Sequence, residues 1–196
     1  MTIRAGVIGY PVQHSLSPLI HGYWQDRYGI DACYEALPIA PENLNEGVAE
    51  LVRGGYAGFN VTLPHKIAVM ALCDTIDPVA AAIGAVNTVV IDGQGKLHGR
   101  NTDAFGFMAN LEEQQPQWRQ TPGEHLRPAL VLGAGGAARA AVYALAQAGI
   151  GEIRICNRSE GRAQALAQAG FWRGGADRPA CDQRRKAAAR GGVFRY

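Results

Sequence analysis

Lys66 closes a seven-residue stretch, Asn60-Val-Thr-Leu-Pro-His-Lys, that brings an amide, a hydroxyl and an ammonium together just after the apolar pair Gly58-Phe59. Such a pair reads as the end of a buried strand, and polar groups at a strand's carboxyl end open into the crevice of an α/β sheet. An ammonium placed there can stabilise a developing negative oxygen and exchange a proton with it, which makes Lys66 the first candidate for chemistry. Ser15 and Ser17, two hydroxyls two residues apart at a strand-to-helix turn, can together grip a polyhydroxylated ligand. Ser17 also precedes Pro18, so a plain helix N-cap explains it equally. Asn87 interrupts the apolar run Gly84-Ala-Val-Asn-Thr-Val-Val-Ile, where a buried amide needs partners; a structural hydrogen bond and a ligand hydroxyl both meet that need. Asp103 opens a helical stretch, a place where the helix dipole favours a carboxylate with or without a functional role.

A second constellation lies later in the chain. Ala129-Leu-Val-Leu is a compact apolar strand, followed by Gly133-Ala134-Gly135-Gly136-Ala137 and a strongly helical run from Arg139 to Gln147. Glycines there permit a tight turn and let backbone N–H groups approach a pyrophosphate at a helix N-terminus. A second strand, 152–156, follows at the βαβ distance, which strengthens an otherwise weak signal. That strand ends in Asn157-Arg158-Ser159, with Arg162 just beyond, and lacks the acidic residue that would receive a ribose 2′-hydroxyl. Arginine suits a 2′-phosphate, so the pattern favours NADP over NAD.

The elements that must position these groups follow from periodicity. Residues 3–8 read as a strand, and Leu19, Ile20, Tyr23 and Trp24 recur at helical spacing after Ser17-Pro18. Strand 34–39, helix 41–53, strand 58–61 and helices 64–72 and 78–83 come next. A hairpin turns at 92–95, and helix 104–113 ends the set. Strands alternating with helices imply an α/β fold with a mostly parallel sheet. The expected organisation is a substrate-binding and catalytic α/β domain over 1–113 and a polar linker over 114–127. An incomplete Rossmann-like dinucleotide-binding domain follows over 128–170, then an atypical basic tail over 171–196. That tail reads as out-of-frame coding or a disordered extension.

Composition narrows the function class. With 47% hydrophobic residues among 196, the chain is ordinary globular material. No basic leader with a long apolar core and no span-length apolar run is present, so a cytoplasmic location is expected, with no membrane partner. The four cysteines, Cys33, Cys73, Cys156 and Cys181, form no Cys-x-x-Cys pair, so neither a metal site nor a disulfide framework is expected. The tail holds 7 of the 19 Lys and Arg but only 2 of the 17 Asp and Glu, so the net charge of +2 belongs to it. It lacks the aromatic interleaving of a nucleic-acid binder, and no nucleic-acid partner is expected.

Taken together, the motifs resemble the shikimate dehydrogenase family. Gly9-Tyr-Pro-Val-Gln-His-Ser-Leu-Ser-Pro, Asn60-Val-Thr-Leu-Pro-His-Lys, Gly84-Ala-Val-Asn-Thr and Gly99-Arg-Asn-Thr-Asp-Ala-Phe-Gly stand in the family's order and spacing, followed by Gly133-Ala-Gly-Gly-Ala-Ala and Asn157-Arg-Ser. The resemblance implies an oxidoreductase of aromatic amino acid biosynthesis that reduces 3-dehydroshikimate with NADPH. It implies that Ser15, Ser17, Thr62, Asn87 and Asp103 bind shikimate and that Lys66 binds the reacting oxygen and exchanges its proton, with Asp103 beside it as a catalytic group. Gly133, Ala134, Gly135, Gly136 and Ala137 would cradle the pyrophosphate, and Asn157, Arg158, Ser159 and Arg162 would face the 2′-phosphate. The partner is then a small molecule, and the protein a monomer or homodimer. The family's further strands, its late substrate-contacting Gln and its returning C-terminal segment have no counterpart after Gly170. Three alternatives stand beside this reading: a shikimate-binding protein without productive NADP binding, a quinate-accepting relative, and a methylenetetrahydrofolate dehydrogenase-like enzyme. The last lacks the Ser-Leu-Ser and Asn-Thr-Asp motifs.

Overall fold

The computed structural model describes residues 2–118, 128–170 and 193–195. The chain divides into two compact units, 1–102 and 103–196.

In the first unit the order is β1 (Ile3–Gly9), α1 (Ser17–Tyr28), β2 (Ala32–Pro38), α2 (Leu44–Arg53), β3 (Gly58–Val61), β4 (Thr75–Ile76), α3 (Pro78–Ile83), β5 (Thr88–Ile91) and β6 (Leu97–Arg100). They build one six-stranded sheet in the order β2-β1-β3-β5-β6-β4. Strand β1 is parallel to both neighbours, with Ala5 in register with Tyr34 and Gly58, and Val7 in register with Ala36 and Asn60. β4 and β6 are also parallel, while β5 runs antiparallel between β3 and β6. The sheet is α/β and mostly parallel, as the alternation of elements predicts.

Register explains where the core sits. Ile8, Phe59 and Val61 point to the face covered by α2, whose Leu44, Val48 and Leu51 recur at i, i+4 and i+7 and are all buried. Each such side chain contributes roughly 1.5–3 kcal/mol of burial. Asp77 caps α3 by accepting a hydrogen bond from Ala80 N at 2.7 Å, and its other oxygen accepts from Asn101 N at 3.3 Å. Opposite α2, the second face carries Ala5, Val7, Tyr34 and Asn60.

Several expectations are corrected here. Ser17 is not the N-cap of α1: the cap position is Leu16, no side chain caps the helix, and Ser17 is its first residue. The local role falls to Ser15, whose Oγ accepts from Ser17 N at 3.3 Å. The apolar residues at helical spacing do form α1, yet none of them is buried. Residues 64–67 form a turn followed by a 3-10 helix, Ala68–Leu72, in place of the α-helix read over 64–72. Strand β4 has only two residues, too short to leave a period in the sequence.

The second unit holds α4 (Asp103–Gln114), β7 (Ala129–Leu132), α5 (Gly136–Gln147), β8 (Ile153–Cys156), α6 (Glu160–Ala167) and β9 (Val193–Arg195). β7 and β8 are parallel with α5 between them, a βαβ unit; β9 adds to β8 antiparallel. Helix α4, read from sequence with the first domain, belongs to this unit, and its Leu111 packs on the cluster of Val142, Leu145, Ile153 and Ile155. A strand after residue 170 is a departure from the expectation that none reappears. Three residues suffice once the free edge of β8 offers its backbone groups. The linker over 119–127 and the tail over 171–192 lie outside the described residues. Among the described residues no helix is long and apolar enough to cross a membrane, and no cluster of His, Cys, Asp and Glu could hold a metal. Cys33, Cys73 and Cys156 are free thiols.

Candidate functional site

Two parallel strands, β1 and β3, deliver their carboxyl ends side by side, and the loops that follow are stitched together. Thr62 N donates to Ile8 O at 2.9 Å, and Tyr10 N donates to Leu63 O at 2.9 Å. The approach is so close that a Cβ on Gly9 would lie 2.5 Å from Thr62 Cγ2, which is why only glycine fits there. The 60–66 stretch is tied in turn to the 84–88 stretch. Val61 N donates to Asn87 O at 2.8 Å, and Val86 N donates to Lys66 O at 2.7 Å. His65, 1% exposed, anchors the turn from below. Thr62, Lys66 and Asn87 therefore belong to segments of the first unit that backbone bonds tie together, while Ser15 and Ser17 stand in the turn after β1 and at the start of α1.

Asn87 is 8% exposed and hydrogen-bonded to its neighbours. Its Oδ1 accepts from Thr102 N at 3.0 Å and from the Thr88 hydroxyl at 2.9 Å, while its Nδ2 donates to Thr102 Oγ1 at 2.9 Å. Because a backbone N–H can only donate, the sense of this amide is fixed. Asn60, next to it across the sheet, donates from Nδ2 to Thr88 Oγ1 at 3.1 Å and accepts at Oδ1 from the Tyr34 hydroxyl at 2.6 Å. Burial pushes the Tyr34 phenol up to about 12, with the hydrogen bond from Ser17 pulling the other way. The His21 ring stacks on Tyr34 with centroids 3.8 Å apart and planes 3° from parallel, and burial lowers the His21 pKa. Sequence reading singled out Asn87 but missed that Tyr34, Asn60 and Thr88 form a chain of hydrogen bonds leading to it. Asn60 carried a signal, being a second amide on an apolar strand; Tyr34 carried none.

Asp103 is the first residue of α4 and follows Thr102 directly. It belongs to the second unit, as does the glycine turn. Gly133 has φ 115°, a conformation that L side chains rarely adopt, and a Cβ at Gly133 or Gly135 would meet only open space. Gly135 is the extended residue preceding α5, and Gly136 opens the helix. That leaves an uncrowded helix N-terminus with no side-chain cap among the described residues, the form a pyrophosphate needs. Ala134 and Ala137 flank the glycines. At the end of β8, Asn157 Nδ2 donates to Ser159 O at 2.9 Å and shapes the turn into α6. Ser159 does not use its hydroxyl as a cap, and Arg158 and Arg162 are both exposed beside it.

Residues 7–89 match the family of the shikimate dehydrogenase substrate binding domain, and residues 119–171 match the shikimate / quinate 5-dehydrogenase family. An NADP(+) shikimate dehydrogenase of Paramagnetospirillum magneticum is 56% identical over 163 residues, covering 83% of this chain and 58% of the relative. The crystal structure of shikimate dehydrogenase from Aquifex aeolicus superposes with a TM-score of 0.77 at 39% identity, covering 86% of this chain and 60% of that one. The Thermus thermophilus shikimate 5-dehydrogenase, solved in complex with NADP(H) and shikimate, gives 0.73 at 43% identity, covering 87% and 61%. The chain thus spans somewhat over half the length of the relatives it matches.

Proposed function

The chain belongs to the shikimate dehydrogenase family, and from that premise we propose that it catalyses the reversible NADPH-dependent reduction of 3-dehydroshikimate to shikimate. The observation that carries the proposal is the joining of the 60–66 and 84–88 stretches through Val61–Asn87 and Val86–Lys66, which gathers an ammonium, hydroxyls and an amide at the carboxyl ends of β1 and β3. Reduction of a ketone adds a hydride to carbon and a proton to oxygen. Bound NADPH supplies the hydride. Lys66 binds the reacting oxygen, offsets its developing charge and delivers the proton, which it recovers from solvent. Ser15, Ser17, Thr62, Asn87 and Asp103 bind the hydroxyls and carboxylate of the substrate and fix its orientation, with Asp103 also acting on the catalytic side. Backbone N–H groups of Gly133 to Ala137 hold the pyrophosphate, and Asn157, Arg158, Ser159 and Arg162 receive the 2′-phosphate. The proposed activity belongs to chorismate and aromatic amino acid biosynthesis, in the cytoplasm, and to a monomer or homodimer.

The test is an assay of NADPH oxidation with 3-dehydroshikimate on the purified chain, beside separate titrations with shikimate and with NADPH. Turnover together with both bindings is expected. Absence of shikimate binding overturns the proposal. Coverage of only 58% of the Paramagnetospirillum relative favours one second reading, a shikimate-binding protein that does not hold NADP productively. Shikimate binding without NADPH binding is the result that would select it.

A further inference from the structure

Tyr34, Asn60 and Thr88 form a polar track on the sheet face opposite α2, and none of them has been given a role above. The track is anchored at both of its amides. Asn60 Nδ2 lies 3.4 Å from Asn87 O, which can only accept, so Oδ1 must be the atom facing Tyr34 and the phenol must be the donor. At Asn87, Thr102 N–H can only donate, so Oδ1 faces Thr102 and Thr88, and the Thr88 hydroxyl must give its proton to Asn87 and take one from Asn60. Every proton along Tyr34, Asn60, Thr88 and Asn87 therefore points the same way.

Resting on the reading of this pocket as a shikimate site, we propose that Tyr34 is a positioning residue: through Asn60 and Thr88 it holds the Asn87 side chain in one orientation by a one-directional relay. The raised Tyr34 pKa keeps the donating proton in place well above neutrality.

The experiment is a calorimetric titration of the full chain with shikimate, for the parent protein, Tyr34→Phe, Thr88→Val and the double variant, with melting curves for each. Both single substitutions remove one hydroxyl from the same relay, so each is expected to weaken binding about tenfold. The double variant should bind no worse than the weaker single one, because the second cut falls on a track already broken. Additive losses in the double variant, or Tyr34→Phe binding as the parent does, would overturn the inference while leaving the shikimate reading intact. A parent chain that does not bind shikimate overturns both. Should Tyr34→Phe fail to fold, Thr88→Val beside Thr88→Ser carries the decision, since the serine keeps the relay hydroxyl and must restore binding.

Discussion

The imidazole Nε2 of His65 lies 2.7 Å from the carbonyl oxygen of Ile39, with the ring almost wholly buried. A carbonyl can only accept, so Nε2 carries the proton and the tautomer is settled. Ile39 follows β2 and His65 follows β3, so this one bond spans the two strands that flank β1 and fixes the residue immediately before Lys66. His65→Ala is expected to lower stability by about 2–4 kcal/mol, through a lost hydrogen bond plus a cavity. Urea denaturation measures that loss, and an unchanged midpoint would contradict the anchoring role.

Lys66→Ala should separate chemistry from binding. Turnover of 3-dehydroshikimate is expected to fall by about 10²–10⁴, the range for loss of a positioned acid or base. The shikimate dissociation constant should move far less. A variant with near-normal turnover removes Lys66 from the reaction.

Acid should loosen the turn between β5 and β6 before it disturbs the core. The hydrogen bond from His98, followed by those from Lys96 N and Gln94 N, lowers the Asp92 pKa to about 2. A carboxylate depressed in the folded state stabilises it above the unfolded pKa near 3.8, and that contribution fades as the pH falls toward about 2. Amide exchange at Gln94 and Lys96 should therefore quicken across this window. Asp92→Asn should make it fast at every pH and flatten the profile.

Exposed Arg158 beside the open turn of Gly133 gives a cofactor prediction. Arg158→Ala is expected to weaken NADPH binding by about tenfold or more while leaving NADH binding nearly unchanged, because only the former carries the 2′-phosphate. Fluorescence titration with both cofactors reads the difference, and equal losses would place Arg158 elsewhere.

What the sequence made legible was mostly what local chemistry dictates. The short apolar runs at 3–8 and 58–61 and the glycine turn at 133–136 each carry a short-range signal, and strands or a turn stand where they were read. Helix α2 stands within the stretch read as helical and buries Leu44, Val48 and Leu51. Where placement depends on the rest of the fold, local reading fails. Leu19, Ile20, Tyr23 and Trp24 have the spacing of a buried stripe, yet burial is decided by what packs on a helix, and α1 buries none of them. The local capping role passes from Ser17 to Ser15 because the helix starts one residue earlier than a Ser-Pro cap requires. The Tyr34–Asn60 bond joins residues 26 apart in the chain, and only the strand order brings them together.

That bond has a genetic corollary. β2 and β3 lie on opposite sides of β1, so the phenol of Tyr34 must pass over β1 to reach Asn60, and the crossing starts beside Ala5, in register with Tyr34, and ends beside Val7, in register with Asn60. A bulky side chain at position 5 would occupy the path. Positions 5, 34 and 60 are then inherited as a set: a library randomised at all three should return joint solutions, a small residue at 5 whenever a phenol at 34 meets an amide at 60. Freedom at any one of these positions would be borrowed from the other two.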